Sequence, residues 1–94
     1  MRIHVRVSGP LRVVIGSGEI ELALAGDAVT LAQALDALAA RYPQARRYLR
    51  GDGGGLPPGI RALAGDARLD ERGALAKTMR DGDQLTLLMP TAGG

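Results

Sequence analysis

A single amphipathic stripe constrains this chain more than any other feature. Leu31, Ala34, Leu35, Leu38, Ala39 and Tyr42 recur at helical spacing, while Gln33, Asp36, Ala40 and Arg41 lie away from them. Thr30, with Gln33 three residues later, has the form of a capping box. Pro43 stops the helix near Arg41 or Tyr42, because the residue before a proline is disfavoured in the α region. A stripe of this kind is core, and a chain of 94 residues has room for only one core. Whatever else folds must therefore pack against this helix.

The remaining apolar residues alternate at strand spacing. In residues 2–7, Ile3, Val5 and Val7 share one face, and Arg2, His4 and Arg6 share the other. Ser8, Gly9 and Pro10 break this strand, and residues 11–15 are expected to continue as an irregular apolar segment to a turn at Gly16, Ser17 and Gly18. Residues 19–24 alternate again with Ile20, Leu22 and Leu24 inward, so the two strands can pair antiparallel across a loose connection. Ala25, Gly26 and Asp27 close the second strand ahead of the helix. Residues 44–50 are expected to add a helical turn presenting Tyr48 and Leu49 inward.

Residues 51–59 hold five glycines and read as a loop. A phosphate cradle is disfavoured there, because no Gly-Lys-Ser/Thr follows and a strand comes next. Residues 60–64 and 67–69 are two short strands around Gly65 and Asp66, a hairpin signal with glycine first. Residues 70–79 are read as connecting chain anchored by Leu75 and Met79, and Asp81, Gly82 and Asp83 turn into the last strand. There Leu85, Leu87 and Met89 share one face and Gln84, Thr86 and Leu88 the other. Leu88 is apolar on an otherwise polar side, which suits a partner surface.

These elements predict a two-layer α+β domain: a mixed sheet of about five strands with one main helix on one face. The last strand can pair parallel to the first, since the chain between them is long enough to cross over. The domain is expected to span residues 1–89, leaving 90–94 as a flexible tail ending in Gly93 and Gly94. Without a Cβ, such an end can thread a narrow channel and leave its last carbonyl carbon unhindered.

Composition narrows the chemistry. With no cysteine, disulfides, thiol nucleophiles and cysteine metal sites are excluded. No Phe or Trp is present, and Tyr42 and Tyr48 are the only aromatics, so nucleic-acid binding by base stacking has little to work with. The net charge is +2, and the one local cluster, Arg46, Arg47 and Arg50, reads as a solvated face. No apolar run approaches the ~20 residues of a membrane span. The alternating charged residues at the start differ from a signal peptide, and a cytoplasmic protein is expected. His4 has no second titratable group placed to work with it and reads as a surface residue. No catalytic or metal-binding residue is expected, which leaves the diglycine end as the candidate reactive group.

In this arrangement the chain resembles the ubiquitin-like β-grasp family, and within it the sulfur carriers of the MoaD and ThiS type. The resemblance runs over nearly the full length: the opening strand pair, Thr30 and Leu31 leading the helix to Tyr42 and Pro43, the Gly65–Asp66 hairpin, Asp81 to Leu87, and terminal Gly93 and Gly94. Residues 51–59 and 73–76 resemble the longer members that supply sulfur for cysteine synthesis.

The resemblance implies that an E1-like enzyme, using ATP and magnesium, adenylates Gly94, and that sulfur transfer then gives a thiocarboxylate. It implies that Gly93 gives access to that site, and that Thr86, Leu88, Pro90, Thr91 and Ala92 dock on partners. The acceptor would be a synthase such as the molybdopterin synthase large subunit or a cysteine synthase. The protein would be a co-substrate rather than an enzyme, with no bound cofactor and no nucleic-acid or membrane partner. A modifier that forms isopeptide bonds through Gly94 fits the same end, and a plain interaction domain is the third reading.

Overall fold

The computed structural model describes residues 1–50, 56–57, 59–69 and 74–89. Its centre is a five-stranded mixed sheet. Strand β1 (Arg2–Val7) pairs antiparallel with β2 (Glu19–Ala23), in a register that sets Val5 opposite Ile20 and His4 opposite Glu21. The helix comes between β2 and the hairpin β4 (Arg61–Ala64) and β5 (Ala67–Leu69). The last strand, here β7 (Gln84–Leu88), lies in the middle, parallel to β1 on one side and antiparallel to β4 on the other, giving the order β2-β1-β7-β4-β5. The expected parallel pairing is present, with Val5 opposite Leu85 and Val7 opposite Leu87.

The amphipathic stripe forms helix α2 (Leu31–Arg41). Thr30 Oγ1 accepts from the Gln33 backbone N–H at 3.2 Å and Gln33 Oε1 accepts from the Thr30 N–H at 2.8 Å, a complete capping box. Leu31, Ala34, Leu35, Leu38 and Ala39 are buried against Ile3, Val5, Ile20, Leu22, Ala62, Leu85 and Leu87 of the sheet. With no Phe or Trp to fill volume, this aliphatic interdigitation is the main source of stability. The short helix α3 (Arg46–Leu49) follows a 3₁₀ turn at Pro43–Ala45, burying Leu49 and half-burying Tyr48 as expected. In the hairpin, Gly65 takes φ +61° while among the described residues no non-glycine has positive φ, which is the glycine-first turn that the sequence signals.

Three expectations are corrected. Residues 11–15 are not an irregular segment but lie in helix α1 (Pro10–Ile15). Pro10 sits in the first turn, where its missing N–H leaves no bond unmade, and Gly16 closes the helix in the left-handed region with its N–H on the Arg12 carbonyl at 2.8 Å. The stretch between the second strand and the helix is not only a turn, nor is the end of residues 70–79 only connecting chain. Strands β3 (Ala28–Thr30) and β6 (Thr78–Arg80) pair antiparallel as a second, two-stranded sheet, with Val29 opposite Met79. Met79 is buried, and the Leu31 N–H at the helix start is satisfied by the Lys77 carbonyl at 2.8 Å. Residues 51–55, 58 and 70–73, and with them most of the expected glycine loop, lie outside the described residues.

Candidate functional site

The sheet presents its inner face to α2 and leaves its outer face uncovered by any described element. Pairing register places the outer residues side by side. Arg6 stands across from Thr86, Thr86 from Leu63, and Leu88 from Arg61. Thr86 and Leu63 are half-buried, and Leu88 is 39% exposed, so the apolar residue that breaks the polar pattern does reach solvent. Toward the β2 edge the face becomes ionic: Arg6 Nε lies 3.5 Å from Glu19 Oε1, His4 Nε2 lies 3.8 Å from the same oxygen, and Arg2 lies 3.9 Å from Glu21. These pairs are well exposed and stabilise the fold little. An open groove of about 610 Å³ runs here, lined by Arg6, Ser8, Arg12, Ser17, Thr86 and Leu88.

The end of β7 is fixed from two sides. The Ser8 N–H donates to the Leu87 carbonyl at 3.2 Å, extending the β1–β7 pairing to the last turn of the strand. Gly9 then packs its α-carbon directly against the backbone of Met89, so closely that a Cβ there would overlap the Met89 carbonyl oxygen. Gly9 also has φ +67° and ψ −147°, near a region open essentially to glycine alone. The chain thus leaves the sheet beside the β1–α1 corner. At the other end of β7, Gly82 turns at φ +84° and donates to the Arg2 carbonyl at 2.8 Å, while the Asp83 side chain accepts from the Arg80 N–H at 2.8 Å. The strand is therefore held at its start, along both edges and at its end.

Of the residues singled out from sequence, Thr86 and Leu88 are brought together on the outer face, at the groove. Pro90, Thr91, Ala92, Gly93 and Gly94 lie outside the described residues. Gly9, Arg12, Arg61 and Leu63 join the same neighbourhood without having been singled out. For Gly9 the only local signal is a glycine ahead of a proline after a strand, which says turn but not what the turn touches. Among the described residues, no group of three or more His, Asp or Glu is placed to hold a metal ion. No helix among them is long and apolar enough to cross a membrane.

No family model matches the chain. It is 37% identical over 84 residues to small archaeal modifier protein 1 of Haloferax volcanii, covering 89% of this chain and 91% of that protein. The crystal structure of that Haloferax protein superimposes over 100% of both chains with a TM-score of 0.83 at 29% identity. CysO, in the BexX/CysO complex of Amycolatopsis orientalis, matches over 98% of this chain and 99% of its own with a TM-score of 0.71 at 28% identity. The shared fold is the mixed five-stranded sheet with its helices. The chain belongs to the family of small archaeal modifier proteins, the ubiquitin-like β-grasp proteins of the sulfur carrier and modifier type.

Proposed function

We propose that this protein is a sulfur carrier whose reactive group is the carboxylate of Gly94, where Gly94 is the terminal residue from the outset or after processing. The observation that carries the reading is the fixation of β7. The strand is paired on both edges and its end is seated on Gly9, so the five residues that follow Met89 start from a rigid point and finish in two glycines. Fully extended, they reach roughly 16–18 Å at about 3.3–3.6 Å per residue, enough to enter a partner's active site.

A carboxylate resists nucleophiles because attack must overcome its charge and resonance. An E1-like partner removes that barrier by joining Gly94 to AMP, consuming ATP with magnesium. A sulfur donor then displaces AMP, and the resulting thiocarboxylate is the nucleophile that an acceptor synthase uses. The protein supplies the tail and the docking face rather than an acid, a base or a metal. Thr86 and Leu88, with Leu63 between flanking Arg6 and Arg61, form the docking patch, an apolar centre with a basic rim that suits an acidic-rimmed apolar surface. Pro90, Thr91 and Ala92 carry the tail into the partner, and Gly93 lets the last peptide pass a narrow channel. The CysO relative, solved as a complex with BexX, supports a carrier that works through a partner protein.

The name of the Haloferax relative, a small archaeal modifier protein, favours a second reading, a modifier joined through Gly94 to lysines of other proteins. Both begin with the same adenylate. Incubation with an adenylating enzyme of the source organism, ATP, magnesium and a sulfur donor separates them. The carrier reading expects the intact protein to gain the mass of sulfur in place of oxygen at Gly94. Adenylation without that gain, together with Gly94-dependent conjugates in cell lysate, would establish the modifier instead.

A further inference from the structure

Among the described residues only two large apolar side chains stand in solvent, Leu88 at 39% exposure and Val13 at 81%. Leu88 belongs to the docking patch already described. Val13 lies on helix α1, where Leu11 is buried and Val14 and Ile15 are half-buried against the core, leaving Arg12 and Val13 on the solvent side. A surface helix ordinarily carries polar residues on that side, and valine is a weaker helix former than alanine, leucine or lysine. The fold therefore gains nothing from an apolar, β-branched side chain at this position.

The placement of α1 gives that side chain a use. Gly9, which caps the helix, is the residue against which Met89 packs at the tail root. Val13 follows four residues later, about 6 Å along the axis at ~1.5 Å per residue. Arg12 lies along Gly18, where a Cβ would stand 3.2 Å from its Nε, and so walls the groove that Thr86 and Leu88 also line. Leu88, the groove, Arg12 and Val13 thus form one continuous surface around the root of the tail. The backbone beneath Val13 is fixed, with Pro10 in the first turn and the Gly16 N–H on the Arg12 carbonyl at 2.8 Å.

We propose that Val13 is a docking residue for the adenylating enzyme, seated in an apolar socket beside the mouth of the channel that takes the tail. The inference rests on the activation of Gly94 proposed above, and it adds a contact that neither the tail nor the outer face of the sheet supplies. Two lengths carry it. Residues 90–94 extend no more than roughly 16–18 Å, and a channel that encloses Gly93 and Gly94 takes up part of that length, so its mouth comes close to Met89. A standard interface covers about 800 Å² on each partner, a disc of roughly 16 Å radius. Centred on the tail root, such a disc takes in the whole of α1, which is about 9 Å long. An enzyme that holds the tail therefore covers Val13, and an apolar socket is the surface that a desolvated valine favours. The reacting carbonyl is at the far end of the tail, so Val13 acts on binding and not on the chemical step.

The test uses the full chain with an adenylating enzyme of the source organism, ATP and magnesium. Val13→Thr replaces one methyl group by a hydroxyl at nearly constant shape, and Val13→Glu places a charge at the same point. Both are expected to keep the wild-type Tm, because the side chain is exposed. Val13→Thr should raise Kd in calorimetry, and KM in ATP–pyrophosphate exchange, by about tenfold, the effect of withholding one valine from burial, and Val13→Glu by more. The exchange rate at saturation should stay at the wild-type value, as it does when only uniform binding is lost. Wild-type Kd and KM in both variants, or a fall in the saturating rate with Kd unchanged, would overturn the Val13 assignment alone. Sedimentation showing a wild-type dimer that Val13→Glu dissociates would give this surface to a second copy and overturn it likewise. Absence of exchange with the wild-type chain would overturn the activation of Gly94, and this inference with it.

Discussion

Replacing Gly9 with alanine tests whether the tail root is seated as described, because two separable effects meet at that residue. The first is conformational: φ +67° with ψ −147° costs a residue with a Cβ about 1–3 kcal/mol. The second is steric, since the new Cβ would overlap the Met89 carbonyl, a backbone atom that cannot rotate out of the way. Relief requires the end of β7 to move, which places the Ser8–Leu87 hydrogen bond at risk for a further ~1 kcal/mol. Together these give a loss of roughly 2–4 kcal/mol, against a total of about 5–14 kcal/mol for a domain of this size. Gly16 is the control. It too has positive φ, at +88°, but a Cβ there meets nothing within 4 Å, so Gly16→Ala carries only the conformational cost, about 1 kcal/mol. At ~4–8 °C per kcal/mol for a domain of this length, Gly16→Ala should lower Tm by about 4–8 °C and Gly9→Ala by more, about 8 °C at the least. Thermal unfolding by circular dichroism measures both. Equal shifts for the two variants would refute the close approach of Gly9 to Met89.

Three further substitutions probe the docking face and the helix start. Leu88→Asp and Thr86→Asp place a charge in the apolar centre of the outer face, and each should weaken binding to the adenylating enzyme about tenfold or more, by calorimetry, with Tm little changed for Leu88→Asp; unchanged affinity for both moves docking to another surface. Thr30→Ala removes the side-chain half of the capping box and should destabilise by about 1 kcal/mol in urea unfolding with no change in slope; a loss below a few tenths would mean that the cap is satisfied by other groups.

The parts of this fold legible in the sequence are those with enough residues to show a period. The alternation in β1, β2 and β7 and the stripe of α2 each repeat several times, and Gly65 marks its hairpin through a conformation that other residues avoid. Helix α1 escaped because six residues hold fewer than two turns, and its boundaries are set by Pro10 and Gly16 rather than by any stripe. Strands β3 and β6 escaped because three residues barely alternate, and their pairing joins Ala28 to Arg80 across most of the chain. The site shows the same division. Leu88 stood out by breaking a local pattern, and it is exposed. Gly9 did not, because its meaning lies in Met89, a neighbour in space only.

The central claim is that the carboxylate of Gly94 is what this protein brings to its partners. ATP–pyrophosphate exchange by an adenylating enzyme of the source organism tests it most directly, because exchange requires reversible formation of the acyl adenylate. Full-length protein should support exchange, and a chain lacking Gly93 and Gly94, with an unchanged Tm, should support almost none. Exchange that is equal with and without the two glycines would contradict the account.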